Sequence, residues 1–415
     1  MRIDLTDETL FATNAFEPVF AWLRANDPVH RHEVPGGDGF WVLSRHADIA
    51  AVYSNAEVFS SRFGMNLGSD PAAVAAVSQR MLIVSDPPDH TQLKRVLARS
   101  FAADRMPMFE ALVGDVVNDV LAEAVDRCAD GATVDFVDIA KAVPNRVVCA
   151  FMGLDRVDWA SVGHTVTEAF EAEDEAVRTA AHAEIFLLFA DMLGRRRKNP
   201  GTDFISELAT ASRGTGAPGR HRPLTDEEII FNCNGVLAGG NETTRYSAAG
   251  GLLALIQNPA QWAQLRAGGP ALVPTAVEEI LRWTVPGIHA LRTVTRPTRI
   301  HDVPLDTGDR VTLWNVSANR DESVFTDPDE FRVTRSPNRH LSFGQGRHQC
   351  LGARLARLEL AVLFRGIIER FAGFDQAGDP VWNSSNFTWG LRSLPVTLTP
   401  IPAGHLSSRK APSHG

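Results

Sequence analysis

Residues 341–360 read LSFGQGRHQCLGARLARLEL, and the reading of this stretch organises the rest of the chain. Cys350 stands between a loop punctuated by Gly344, Gly346 and Gly352 and a run with helical spacing from about Leu351. Glycine takes backbone shapes that other residues resist, so a flat group can approach the main chain there. A helix starting at this point aims its first amides at the sulfur, which favours the anionic form. A thiolate is a soft ligand able to hold a haem iron axially. On this stretch alone, a small buried cysteine packed as a hydrophobe is the competing reading.

The surroundings are those of an ordinary globular chain. Of its 415 residues, 44% are hydrophobic and 22% charged, the usual balance of a soluble domain. Length alone would allow two or three domains. No Pro/Ser/Gly linker or internal repeat divides the middle, so one large domain over 1–405 is expected, with a disordered tail at 406–415. The net charge of −9 and the lack of a long basic run argue against nucleic-acid binding. Cys128, Cys149, Cys233 and Cys350 lie far apart with no C-x-x-C pair, which speaks against disulfides or a zinc site and for a reducing cytosol. The acidic start MRIDLTDETL lacks an apolar signal core. No uncharged apolar run approaches the roughly 18 residues of a membrane span.

Hydrophobic spacing predicts helices over most of 106–198, from Leu224 to about Gln257, over 260–267 and 271–283, and from Cys350 to Phe371. Short strands are expected at His30–Val34, Phe40–Ser44, within 284–315 and at 396–399. Ser60–Gln79 and Ala209–Pro223 read as loops, the first of them mobile. Thr225 with Glu228 forms a capping box at the head of the longest helix. Long helices with small peripheral sheets make a mainly α, α+β fold.

That longest helix carries Gly239-Gly240-Asn241-Glu242-Thr243-Thr244. Each glycine costs a helix about 1 kcal/mol relative to alanine. The pair allows a kink, with Thr243 bonding back to a carbonyl one turn earlier. Glu242 beside Thr243 then reads as a proton relay in a widened groove. Close helix packing with Glu242 exposed is the alternative. Glu279 and Arg282 lie three apart on one helix face, ordinarily a surface pair worth about 0.2–0.5 kcal/mol. His90, Lys94, Arg292 and His348 are candidate anchors for an anionic ligand.

Together these residues resemble the cytochrome P-450 haem-thiolate monooxygenases of the bacterial soluble type. Phe343-Gly344-x-Gly346-x-His348-x-Cys350-x-Gly352 matches that family's haem-ligand loop. Glu279-x-x-Arg282 resembles its buried Glu/Arg pair, and Arg335 falls where its third arginine sits. Asp86-Pro87-Pro88-Asp89-His90 and Ser317–Asp321 are also familiar family segments. The resemblance runs from about residue 15 to 400 and implies a long central helix over a haem. It implies haem b with Cys350 as the axial thiolate, Phe343 shielding the sulfur, and Gly352 beside the ring. Glu242 and Thr243 would deliver protons; Glu279, Arg282 and Arg335 would hold the proximal side; His90, Arg292 and His348 would hold propionates. Lys94 stands where the family often has arginine, with Arg95 next to it; lysine pairs as a point charge and not as a fork. Asn241 stands where many relatives carry histidine.

The resemblance also implies a distal pocket drawn from Ser60–Ile83, Phe151–Ala190, Leu237–Thr243, Pro286–Leu291 and Phe387–Trp389. Leu237, Gly239, Ile288, His289, Ala290 and Phe387 are its candidate substrate contacts. Arg95, Arg99, Arg347, Arg354 and Arg357 make a cationic face suited to an acidic ferredoxin or flavodoxin. No flavin or iron–sulfur domain is expected, so electrons from NAD(P)H would arrive through an external reductase. The implied activity is hydroxylation or epoxidation of an organic molecule with O2, in specialised-metabolite biosynthesis, the substrate free or held on a carrier protein. A cytoplasmic monomer is expected. A peroxide-driven peroxygenase and a non-catalytic haem-binding or recruitment protein are the rival readings.

Overall fold

The computed structural model describes residues 3–128, 130–172, 174–215 and 219–402; the segment read as a tail, 406–415, lies outside them. The fold is mainly α, built around the helix Asp226–Gln257. Its start is fixed as the sequence predicts: Thr225 Oγ1 accepts from the Glu228 amide at 3.2 Å, and the Glu228 carboxylate accepts from the Thr225 amide at 2.9 Å. From Thr244 to Leu255 nearly every residue of this helix is buried. Helices Phe136–Met152, Glu175–Lys198, Val273–Thr284 and Ala353–Arg370 pack around it. A Cβ on Gly240 would stand 2.8 Å from Val148 Cγ2, so that glycine lets the Phe136–Met152 helix come close. The helix is assigned without interruption through the glycine pair.

Five strands make the larger sheet, in the order Val29–His32, Phe40–Leu43, Arg310–Trp314, His289–Val294, Phe59–Ser60. Only the pairing of Arg310–Trp314 with Phe40–Leu43 is parallel. This sheet brings Arg292 beside Val311 and sets His289 opposite Trp314. Strands Phe371–Gln376, Pro395–Pro400 and Thr133–Asp135 form a second small sheet.

Two loops of the sequence reading turn out to be structured. Within Ser60–Gln79, Pro71–Val77 is a helix, because the Asp70 side chain accepts from the Ala72 amide and Pro71 fits the first turn. Within Ala209–Pro223, Ser212–Gly214 pairs with His221–Pro223. That hairpin is held by Arg213, which pairs with Asp89 at 3.1 Å and with Glu228 at 2.7 Å. Among the described residues, no helix is long and apolar enough to cross a membrane.

Candidate active site

The loop before Cys350 hangs from the Val273–Thr284 helix and the turn behind it. Ser342 Oγ donates to the Leu281 carbonyl at 2.7 Å, and the Leu341 amide donates to Asn319 Oδ1 at 2.7 Å. Gly346 has φ +71°, and a Cβ there would stand 2.6 Å from the Tyr53 carbonyl oxygen, so only glycine fits. The Cys350 amide donates to the Phe343 carbonyl at 2.9 Å, closing the loop. The Ala353–Arg370 helix begins just beyond, with Gly352 at its N-cap. Cys350 is exposed, yet its thiol lies deep enough to feel burial, as at the floor of an opening. Burial pushes the thiol up; the Gly352 amide, then Lys94, Arg357 and the Ala353 amide, oppose it. The helix N-terminus thus favours the thiolate as the sequence suggests, without outweighing burial.

Behind this loop is a sealed ionic knot. Arg282 donates to both oxygens of Glu279 at 2.8 Å, and Arg335 Nε reaches them at 3.1 and 3.0 Å. The Arg332 amide and Asn338 Nδ2 add bonds of 2.8 and 3.1 Å to the same carboxylate. The remaining guanidinium nitrogens of Arg282 and Arg335 donate to the carbonyls of Asn319, Thr326, Asp327, Pro328 and Glu330. A second carboxylate, Glu278, binds Arg357 at 2.6 and 2.9 Å and His340 at 3.2 Å. Burial opposes its ionisation, but the bonds from His340 and Arg357 hold Glu278 down to about 2. Arg357 also lies over the Phe343 ring at 4.5 Å. It therefore braces Phe343; Arg95, Arg99, Arg347 and Arg354 are exposed.

A different corner gathers His90, His348 and Arg292. The two imidazole rings are 4.1 Å apart. Both His90 nitrogens and His348 Nε2 are buried without a hydrogen-bond partner. Burial, with neighbouring Lys94 and other cations, pushes His90 to about 4; burial, with Arg292 and His90, pushes His348 to about 2. Arg292 is buried, donates to the Leu291 carbonyl at 2.7 Å, and stands 5.4 Å from the Tyr53 ring. Among the described residues no carboxylate pairs with it. Buried neutral donors and an unpaired guanidinium are costly unless an acceptor completes them. Lys94 is turned elsewhere, donating to the Arg347 and Gln349 carbonyls of the cysteine loop. Arg95 is exposed and reaches Gln92 at 3.3 Å.

On the long helix, Gly239 has no atom within 4 Å of where a Cβ would stand, and Gly352 is equally free. Thr243 Oγ1 donates to the Gly239 carbonyl at 2.7 Å. Asn241 makes the same kind of bond to Leu237 at 3.0 Å. Glu242 is buried, and so is Arg245, which the first reading of the sequence passed over. The Arg245 guanidinium is shared between Glu242 and Glu171, with Tyr246 Oη at 3.0 Å. Burial pushes Glu242 up to about 7, Arg245 opposing and Glu171 adding to the rise. Glu242 also borders a half-open groove of about 590 Å³ whose lining mixes Lys141, Asn145, His164 and Arg245 with Trp159 and Val166. The i,i+3 spacing of Glu242 and Arg245 in NETTRY was the signal for this pair; Glu171, 74 residues away, left none.

The expected pocket residues separate. Gly239 is exposed, and Ala290 and Phe387 are half-buried. Leu237 and Ile288 are fully buried, each inside a hydrophobic cluster, because each lies on the packed side of its element. His289 is closed off as well. Its Nδ1 pairs with the Asn386 carbonyl at 2.6 Å, its Nε2 takes the Leu67 amide at 3.4 Å, and burial pushes it to about 4. It joins two loops and has no nitrogen left for a ligand.

A flat, anionic macrocycle suits these residues: free space at Gly239 and Gly352, an exposed Cys350, and partnerless buried imidazoles beside Arg292. The comparisons agree. The sequence profile of the Cytochrome P450 family matches residues 271–399. Cytochrome P450 NovI of Streptomyces niveus is 36% identical over 406 residues, covering 96% of this chain and 97% of that protein. Among solved structures, P450 OxyD, involved in the biosynthesis of vancomycin-type antibiotics, superposes with a TM-score of 0.86 at 34% identity, covering 96% of this chain and 100% of that one. P450BioI, solved with an acyl carrier protein ligated to hexadec-9Z-enoic acid, gives 0.83 at 26% identity, covering 94% and 99%. With the cysteine loop, the ionic knot and likeness over nearly its whole length, this chain belongs to the cytochrome P450 monooxygenases.

Proposed function

We propose that this enzyme hydroxylates or epoxidises an organic small molecule in specialised-metabolite biosynthesis, with O2 and electrons from an external ferredoxin or flavodoxin and its reductase. The observation that carries the reading is the glycine-cradled loop that presents Cys350 at the head of a helix, beside the partnerless His90 and His348. Cys350 would hold haem b through its sulfur, and the haem would supply the binding and reductive activation of O2. His90, His348 and Arg292 hold its propionates, which gives the partnerless imidazoles their acceptors. Lys94 sets the carbonyls of the cysteine loop, and Phe343, braced by Arg357, shields the sulfur. Glu279, Arg282 and Arg335 keep that loop in place.

Glu242 holds a proton near neutrality and exchanges it with the groove it borders. Thr243 Oγ1, the next side chain along, presents the hydroxyl to the groove. One oxygen atom of O2 enters the product; the other leaves as water, with two electrons from NAD(P)H and two protons. The likeness to a P450 solved on an acyl carrier protein supports a carrier-bound substrate, and free substrate is the other arm of the test. NADPH with ferredoxin and reductase should support turnover of the free or carrier-bound acyl compound. Peroxide outperforming the reductase chain would move the reading to a peroxygenase, and no turnover with either would move it to a haem-binding recruitment protein.

A further inference from the structure

Asn232 lies two turns before the groove on the long helix and is buried. All its polar atoms are engaged. Oδ1 accepts from the Leu82 amide at 2.8 Å; Nδ2 donates to the Arg80 carbonyl at 2.8 Å and to the Glu228 carbonyl at 2.6 Å. Two of these three bonds leave the helix and pin one loop. Asparagine inside a helix disfavours it by competing for backbone groups; here that capacity is spent on another segment.

The pinned loop is closed on itself. The Gln79 amide donates to the Val84 carbonyl at 3.1 Å, the Asp86 amide to Gln79 Oε1 at 2.7 Å, and Ser85 Oγ to the Met81 carbonyl at 2.6 Å. Arg80 pairs with Glu227 on the same long helix. A Cβ on Gly235 would stand 2.9 Å from Met81 Cε, so Met81 lies directly on the helix there. Gly235, Gly239 and Thr243 are spaced i, i+4, i+8 and share one stripe. Met81 covers the first position, the second is open, and the third carries the hydroxyl. Ile83, in the same loop, is 44% exposed, an apolar side chain left without cover.

We infer that Asn232 is a specificity-positioning residue: by clamping the Arg80–Leu82 backbone to the long helix, it fixes where Met81 stands, one turn from the open space at Gly239, and so which apolar molecules pack there. This rests on reading that stripe as the distal wall of the haem pocket. The test uses haem-loaded protein and two probes that ligate haem iron, imidazole and the bulkier 4-phenylimidazole, followed by the Soret shift. Only the larger probe reaches the wall. Asn232→Leu should weaken 4-phenylimidazole by about tenfold, on the order of one or two lost hydrogen-bond contributions, and leave imidazole within about twofold. Gly235→Ala, which displaces Met81 without touching Asn232, should give the same split at smaller size, and it decides the matter if Asn232→Leu takes up no haem. Equal changes for both probes, or none for either, would overturn the inference. A wild-type protein with no Soret response to imidazole would instead overturn the haem reading beneath it.

Discussion

Glu279 and Glu242 are both buried glutamates paired with an arginine three residues on, and they do opposite things. Glu279 is saturated: two arginines, a backbone amide and an asparagine converge on its oxygens. Glu242 shares its one arginine with a competing carboxylate, Glu171, and is pushed up to about 7. The first arrangement locks side chains and main chain together and so holds a fold. The second holds its carboxyl well above the usual carboxylate range. The contrast is between a carboxylate whose bonds are completed by the protein and one whose cation is shared with a second carboxylate.

The sharpest way to break this comparison is Glu279→Ala, which leaves Arg282 and Arg335 buried without their counter-charge. A loss of about 3–5 kcal/mol is expected, read as a drop in the thermal midpoint with failure to retain haem. A neutral result would mean that the knot is not a scaffold. Glu359 supplies a third buried carboxyl, one whose Oε2 has no partner, and burial alone pushes it up to about 8. The folded state keeps its proton while the unfolded chain ionises from about 4.5, so the folded state loses stability as pH rises from 4.5 to 8. Glu359→Gln should remove that slope, its advantage over wild type growing by up to about 1.4 kcal/mol per pH unit across the window in denaturant titrations. Parallel curves would show that Glu359 is not held neutral.

On the distal side the effects are kinetic. In wild type, product formed per O2 consumed should fall as pH passes about 7, where Glu242 gives up its proton. Glu242→Gln keeps the shape and removes the proton; coupling should drop about tenfold or more and lose that pH dependence. Thr243→Ala should uncouple O2 use from product in the same way, and unchanged yield per O2 would show that the relay is misassigned. Smallest is Arg245→Leu. Without the cation that opposes its rise, Glu242 holds its proton to higher pH, and the midpoint of the coupling profile should move up by about one unit. A midpoint that stays or falls would exclude Arg245 as the residue that tunes Glu242.

Much of the scaffold was legible because it is written locally. The capping box at Thr225, the cysteine loop and the Glu279–Arg282 spacing each sit within a few residues. What escaped was long-range or faced the packed side. Glu171 meets Arg245 only because two helices cross. Leu237 and Ile288 share a segment with pocket residues but point into the core, a distinction that needs the helix phase and the sheet register. His289 looked free until the loops carrying Leu67 and Asn386 closed on both its nitrogens. Within 209–223, composition suggested an open loop, whereas the buried ion pairs of Arg213 with Asp89 and Glu228 hold a hairpin against the fold.

The central claim is that Cys350 binds haem iron as a thiolate, and the carbon-monoxide difference spectrum of the reduced protein tests it most directly. The account predicts a Soret band displaced unusually far to the red in wild type and lost in Cys350→Ala. A band at the position typical of histidine-ligated haem in the wild-type protein would contradict it.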